Sequence, residues 1–469
     1  MMPLLSIASG PVMTALVMTT VVFVVLIGHT SFWIRIVNML HGSTLPHGPN
    51  HVATYLIFGW IVVAVPWMAW PMVDAVSAGG VFPTDGVRWA NSFGLMRHPV
   101  IGGYMALAGL HGIVAIGVWL NRRCSRWCSG VRRYVRDVLV TDETCPDTDR
   151  LQYEGSPWLR FPGSQALRLR RILRELQSTP APGSANSTGV DSRKVDFGLR
   201  ILHLTDFHFG GGVPIEYYDW CLDQILQPWS DDAAVWQPDL VTLTGDFLDN
   251  PAWMAAMTQR LQRLTAPGFA SLGVWFVLGN HDLRCVDPDS LRRALTEECG
   301  FHDLGGQVRQ RRLPDGRTLE LIGDESPWGC VPEWNLTSPS RSPDLSSSET
   351  MRVVLTHTPD RFPFWANRFR ESERSESKPG SRNRKTREST IRNLVLAGHT
   401  HGGQMCIPGI GAVLTPCLGG TTFVDGVYRI GPTLLHVNHG IAAKKPLRLF
   451  CPPEAVTLKW VSVPKSGGP

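Results

Sequence analysis

Ten cysteines are scattered through the 469 residues without one Cys-x-x-Cys pair or close-spaced framework. That absence argues against a disulfide-stapled secreted domain and against a structural zinc site built on thiolates. Isolated thiols suit a reducing compartment. Charge is also scarce: Asp, Glu, Lys and Arg make up 18% of the chain, and 45 basic against 40 acidic residues leave a net charge of +5. So small an excess does not mark a nucleic-acid binder. No internal repeat is visible. What the chain does have is 43% hydrophobic residues, distributed as an apolar front and a polar back, which rules out a wholly disordered protein. The length predicts two or three domains.

No charge occurs from Leu4 to Gly28, a run long enough to cross about 30 Å of hydrocarbon as a helix. It lacks the basic residues that precede a signal-peptide core. Val52 to Met72 and Val100 to Leu120 are also uncharged, so about three membrane helices are expected within 1–121. A buried helix is the other reading of the third run, whose glycines also suit close helix packing in a membrane. Arg122, Arg123, Arg126, Arg132, Arg133 and Arg136 follow that run. By the positive-inside rule the rest of the chain is then cytoplasmic, although a solvated helix face explains the same arginines. The runs carry no acidic residue, which speaks against a pump or transporter. Residues 122–194 read as a basic juxtamembrane segment and a flexible linker, the latter in STPAPGSANSTGVDSR, Ser178 to Arg193. The soluble domain is expected over 195–469, with mobile insertions near 338–348 and 371–390.

In that domain five short apolar runs each end in metal-ligand residue types. Leu199 to Thr205 leads into Asp206 and His208, Asp239 to Thr244 into Gly245 and Asp246, and Gly273 to Leu278 into Gly279, Asn280, His281 and Asp282. Met351 to Thr356 leads into His357, and Asn393 to Ala397 into Gly398, His399 and His401. The runs read as buried strands. Helix-like spacing at Ile215 to Gln227 and Ala252 to Leu264 alternates with the first three, implying an α/β fold with right-handed crossovers and a parallel sheet. Ligands gather beyond the carboxyl ends of such strands, so the clusters should converge. Asp206, His208, Asp246, Asn280, His357, His399 and His401 give seven oxygen and nitrogen donors without a thiol, suited to two divalent cations such as Mn, Fe or Zn. Asp246 is the best bridge between them, because a carboxylate has two oxygens to share. Two dications and two carboxylates leave positive charge facing solvent, for which a phosphate ester is a natural guest. His203, inside the first strand, reads as a core histidine.

The order Asp206-Phe-His208, Gly245-Asp246-Phe-Leu-Asp249, Gly279-Asn280-His281-Asp282, His357, Gly398-His399-Thr-His401 resembles the calcineurin-like metallophosphoesterase superfamily. The extended string to Gln404, with Val437-Asn-His-Gly440 and the segment Pro446 to Glu454, is similar to its bacterial membrane-associated branch, which includes UDP-2,3-diacylglucosamine pyrophosphatases and cell-envelope phosphoesterases. That branch carries Arg at the place of His439, a departure that bears on the substrate and not on the metal ligands. The resemblance implies an αββα sandwich of two mixed sheets, preceded here by the membrane helices. It implies one ion held by Asp206, His208, Asp246 and His401 and a second by Asp246, Asn280, His357 and His399. His281 is then left to serve the leaving oxygen as general acid or to stabilise the transition-state charge, with Asp282 either orienting it or capping a helix, and Asp249 lies behind the ligands. The expected partners are a phosphate-ester substrate, lipid-linked in the favoured reading, and the inner membrane. A generic phosphodiesterase and a non-catalytic membrane scaffold are the alternatives.

Overall fold

The computed structural model describes residues 11–42, parts of 52–64, 99–128, 131, 134–146, 148–177, 198–228, 237–334, 350–376, 391–408, 411–412 and 415–461. The chain divides into two compact units, Met1–Ser125 and Arg126–Pro469.

In the first unit, Pro11–Gly42 and Pro99–Cys128 are helices. Among the described residues one helix is long and apolar enough to cross a membrane, through Thr20–Val37. The expected third span lies in the second helix, whose apolar stretch Gly103–Gly117 is shorter. Most of the Val52 to Met72 run lies outside the described residues. The two helices approach closely because glycine leaves room: a Cβ on Gly112 would stand 2.0 Å from the Val24 carbonyl oxygen.

The second unit is a sandwich of two mixed sheets. Seven strands run in the order β1 (Val135–Thr144), β2 (Arg168–Gln177), β15 (Glu454–Val461), β3 (Gly198–Leu204), β4 (Leu240–Leu243), β5 (Val274–Phe276) and β6 (His302–Asp303). Six run in the order β13 (Gly426–Ile430), β14 (Thr433–Val437), β10 (Asn393–Ala397), β9 (Thr350–Thr356), β8 (Thr318–Asp324) and β7 (Val308–Arg312). A small pair, β11 (Cys406–Ile407) and β12 (Gly411–Ala412), stands apart.

Alternating side chains build the layers, because successive residues of a strand face opposite ways. Leu199 and Ile201 of β3 meet Val353, Leu355, Leu394 and Leu396 of the other sheet in one core. Leu202 and Leu204 face the other way, against the helices Ile215–Leu226 and Met254–Leu261. Val354, Val395 and Leu435 on the far sheet pack on the helix Phe362–Glu376. Covered on both faces, β10 is buried at every position, which is why it reads as a continuous apolar run.

Three expectations change. The five ligand-bearing strands do not share one parallel sheet: β3, β4 and β5 pair in parallel in the first, while β9 and β10 pair in parallel in the second. The segment 122–194 contains two strands, β2 pairing in parallel with β15, so the compact unit begins far before Val195. The charged stretch from Glu371 is helical through Glu376, and Ser372 within it is buried. The expected linker and the insertion at 338–348 lie outside the described residues, as do residues 377–390.

Candidate metal centre

Each of the five strands is followed by a tight turn that aims its polar residues at one place. Asp206, His208, Asp246, His399 and His401 all have positive φ, between 49° and 68°; among the described non-glycine residues only Gln404 and Phe450 share that conformation. Left-handed backbone costs a residue with a Cβ on the order of 1–3 kcal/mol, and such strain gathers where the surrounding structure enforces a function. Glycines make room for the approach. A Cβ on Gly279 would lie 2.2 Å from Asp246 Oδ1, and one on Gly398 would lie 2.3 Å from Asp206 Oδ2.

Seven side chains expected to meet do so. His208 Nε2 lies 3.8 Å from Asp206 Oδ1 and 3.5 Å from Asp246 Oδ2. His401 Nε2 is 3.7 Å from Asp206 Oδ1. On the other side His357 Nε2 is 3.2 Å from Asp246 Oδ2, 3.1 Å from Asn280 Oδ1 and 3.0 Å from His399 Nδ1. Asp206, His208 and His401 form one group whose atoms suit a single ion; Asp246, His357 and His399 form another. The Asp246 carboxylate stands between them.

The hydrogen bonds decide whether a cation fits. Nδ1 of His208 faces Asp249 Oδ2 at 3.0 Å, Nδ1 of His357 faces the Thr244 carbonyl at 2.7 Å, and Nε2 of His399 faces the Pro416 carbonyl at 3.0 Å. In each neutral ring the single N–H is used there, so the other nitrogen points a lone pair at carboxylate, amide oxygen or another lone pair. Asp206 Oδ1, His208 Nε2 and His401 Nδ1 are buried without a hydrogen-bond partner. Acceptors facing acceptors in a buried cluster are what a divalent cation satisfies. Without one, the groups hold protons instead. Burial alone would lower His357, but Asp246 and Asp206 raise it to about 9. Burial is likewise outweighed at His208, which Asp249 and Asp206 hold well above its ordinary value. Burial lowers His401 to about 3.

His281 sits beside this cluster, half-buried, with Nδ1 on Asp249 Oδ1. Asp249 therefore holds two imidazoles, one on each oxygen. Asp282 does not orient His281, as one reading of the sequence had it. Its Oδ1 accepts from the Phe247 and Leu248 amides and its Oδ2 from the Gly279 amide, tying two ligand turns together. Burial and the charge of Asp246 push its carboxyl up to about 7, against the pull of those amides. Two more residues neighbour the cluster. Trp328 lies with its ring centroid 5.1 Å from that of His399 and 6.0 Å from that of His357. Arg284 stands over Trp328 at 5.6 Å. Arg284 follows His281 by one helical turn, the only sequence signal for it. Phe364 is exposed and Trp365 is buried, donating from Nε1 to Asp324.

Residues 199–403 match the model of the calcineurin-like phosphoesterases. The chain carries a calcineurin-like metallophosphoesterase domain. Such domains are metal-dependent phosphoester hydrolases. The chain is 29% identical over 263 residues to the uncharacterized metallophosphoesterase YkuE of Bacillus subtilis, covering 55% of this chain and 77% of that one. It is 27% identical over 270 residues to the phosphodiesterase YaeI of Escherichia coli, covering 56% and 82%. It is 22% identical over 311 residues to the UDP-2,3-diacylglucosamine pyrophosphatase LpxG of Chlamydia muridarum, covering 57% and 85%.

Proposed function

We propose that this metallophosphoesterase is a membrane-anchored, dinuclear enzyme that hydrolyses a phosphodiester or pyrophosphate bond in a lipid-linked envelope substrate. The observation that carries the dinuclear reading is the Asp246 carboxylate between two acceptor-only groups, 3.5 Å from His208 Nε2 and 3.2 Å from His357 Nε2. Asp206, His208, Asp246 and His401 would hold one ion; Asp246, Asn280, His357 and His399 the other. Mn, Fe and Zn suit this set of oxygen and nitrogen donors. Divalent cations bound there polarise phosphoryl oxygens and lower the pKa of water.

The chain's own residues supply the remainder. Asp249 accepts from Nδ1 of His281, and in the imidazolium form, which the Asp249 carboxylate favours, the second N–H at Nε2 is the proton given to the departing oxygen, leaving the ring neutral. Arg284 adds a fixed cation for phosphoryl oxygens beside the metal groups, and Trp328 offers an aromatic face for a substrate group. The lipid-linked substrate is supported by the apolar helix Pro11–Gly42 and by LpxG, whose name gives a lipid-bearing nucleotide. In this reading the N-terminal 121 residues are a multi-span anchor in the inner membrane, with the hydrolase on the cytoplasmic side.

The test is hydrolysis by the full-length protein in detergent, with and without Mn. Bis-p-nitrophenyl phosphate should be cleaved in Mn and not in chelator, and UDP-2,3-diacylglucosamine should be cleaved with the higher kcat/KM. Turnover of soluble diesters alone would remove the lipid-linked substrate; no turnover of any ester with metals bound would remove the enzyme reading of this chain.

A further inference from the structure

Beside the metal groups, three segments of the catalytic unit present large apolar side chains to water: Tyr153, Trp158 and Phe161, then Met405 and Ile407, then Phe450. Tyr153 is 76% exposed and Phe450 is 65% exposed. The segments form one rim, because their backbones are joined. The Gln165 amide donates to Arg448 at 2.7 Å, the Leu449 amide to Gln404 at 2.8 Å and the Cys406 amide to Leu449 at 2.9 Å.

The rim is also tied to the loops that leave the candidate ligands. The Ser156 amide donates to Gly212, four residues beyond His208, at 2.9 Å. A Cβ on Gly211 would meet both Asp249 Oδ2, at 2.6 Å, and the Lys444 Cα, at 2.9 Å. Gln404, whose side chain donates to the Lys445 carbonyl, is three residues beyond His401. The rim thus borders the site on the side of His208, Asp249 and His401.

Two features point to what covers it. Phe450 has φ +54°, a conformation that is uncommon for bulky residues and carries strain, and its ring gains no burial in return. An aromatic ring held exposed by a strained backbone is available to an apolar phase outside the chain. Basic side chains accompany the apolar ones: Arg160 lies over the Tyr153 ring at 4.9 Å, and Lys444 and Lys445 are exposed. Aromatic and aliphatic side chains flanked by Lys and Arg are the composition of surfaces that enter the head-group region of anionic membranes.

We infer that this rim docks on an anionic lipid bilayer, so that the metal groups open against the head groups and receive a phosphate ester while it is still carried by its lipid. The inference rests on the phosphoesterase reading above and gives that reading a surface.

The test uses the full-length protein in vesicles of phosphatidylcholine, with or without phosphatidylglycerol, followed by hydrogen–deuterium exchange. Peptides covering 157–161 and 446–451 should exchange more slowly on the anionic vesicles, with protection reversed by salt. Trp158→Ser/Phe450→Asn, with Asn chosen because it tolerates positive φ, should remove the protection. It should cleave bis-p-nitrophenyl phosphate within about twofold of the unaltered protein, and lose about tenfold on a p-nitrophenyl phosphodiester carried by diacylglycerol. Equal exchange on the two vesicle types would overturn the proposal, as would protection that scales with protein density, which assigns the rim to a second copy of the chain. Protection without cleavage of any ester would keep the rim and overturn the phosphoesterase reading instead.

Discussion

One carboxylate serving two imidazoles is the residue-scale feature with the clearest consequence. His281→Ala removes a proton donor and no member of the proposed ligand set, so metal content by mass spectrometry should stay near that of the unaltered protein while hydrolysis of bis-p-nitrophenyl phosphate falls about 10²–10⁴-fold. Loss of metal with that change would make His281 a ligand. Asp249→Ala should lower both quantities, because His208 loses the partner that sets its tautomer, a change worth about 10–100-fold in metal affinity. Asp282→Asn belongs to stability: a weakened buried acceptor of three amides predicts a loss of about 1–3 kcal/mol in denaturant unfolding, with the pH profile of turnover unmoved. A shifted profile at unchanged stability would restore an orienting role. The strings Gly-Asn-His-Asp and Gly-Asp-x-x-Asp made every one of these residues visible in the sequence. Their pairing was not visible. Neighbours in a helical turn do not face each other, so Asp282 points away from His281, while Asp249 arrives from another strand end more than thirty residues earlier.

Strands buried on both faces were legible almost to the residue, as β10 over Asn393–Ala397 illustrates. Arginine-rich strands were not. The sequence of β2, RLRRILRELQ, carries so many arginines that it passes for juxtamembrane surface; its place between β1 and β15 in the sheet accompanies the burial of Leu169, Ile172 and Leu176. Assignment of strands to sheets was equally hidden, since it depends on long-range pairing. His203 of β3 reads as a core histidine, and the structure adds its partner: its Nδ1 lies 2.9 Å from Nδ1 of His436 on β14, in the opposite sheet, and its Nε2 lies 3.0 Å from Thr244 Oγ1. Burial lowers His203 to about 3 and holds His436 well below its ordinary value. Both rings stay neutral in the fold, whereas the unfolded chain takes up their protons below about pH 6.5. The unfolded state then binds more protons, so stability falls as pH falls. Denaturant unfolding in chelator from pH 6.5 to 5 should show a loss of up to about 1.4 kcal/mol per pH unit for each ring, read as the difference from a His203→Gln/His436→Gln variant, because Asp282 and His357 titrate with the opposite sign over the same window. No difference between the two profiles would mean that the pair carries a proton in the folded state.

For the molecule as a whole, the decisive property is that both sheets contribute to one cluster. Asp206, Asp246 and Asn280 follow strands of the first sheet, and His357 and His399 follow strands of the second. Cations bound among them should therefore fasten the sandwich across its two layers. Five of the seven proposed ligands sit in left-handed backbone, so the metal-free turns hold strained conformations together with mutually facing acceptors. Binding at about one hundred times the dissociation constant stabilises a folded state by about 2.7 kcal/mol per ion. Manganese should raise the melting temperature of the unit Arg126–Pro469 and slow exchange at the turns after β3, β4, β5 and β10. The helical unit Met1–Ser125 contributes none of the proposed ligands and should be indifferent to the ion. Asp246→Asn separates this coupling from nonspecific salt effects: an amide of the same shape has no charge with which to offset two dications only a few ångströms apart. The variant should fold, retain little Mn, and lose the thermal response together with hydrolysis. A full thermal response in Asp246→Asn would mean that the two groups of ligands do not share a carboxylate, and the dinuclear arrangement would have to be replaced by two independent sites.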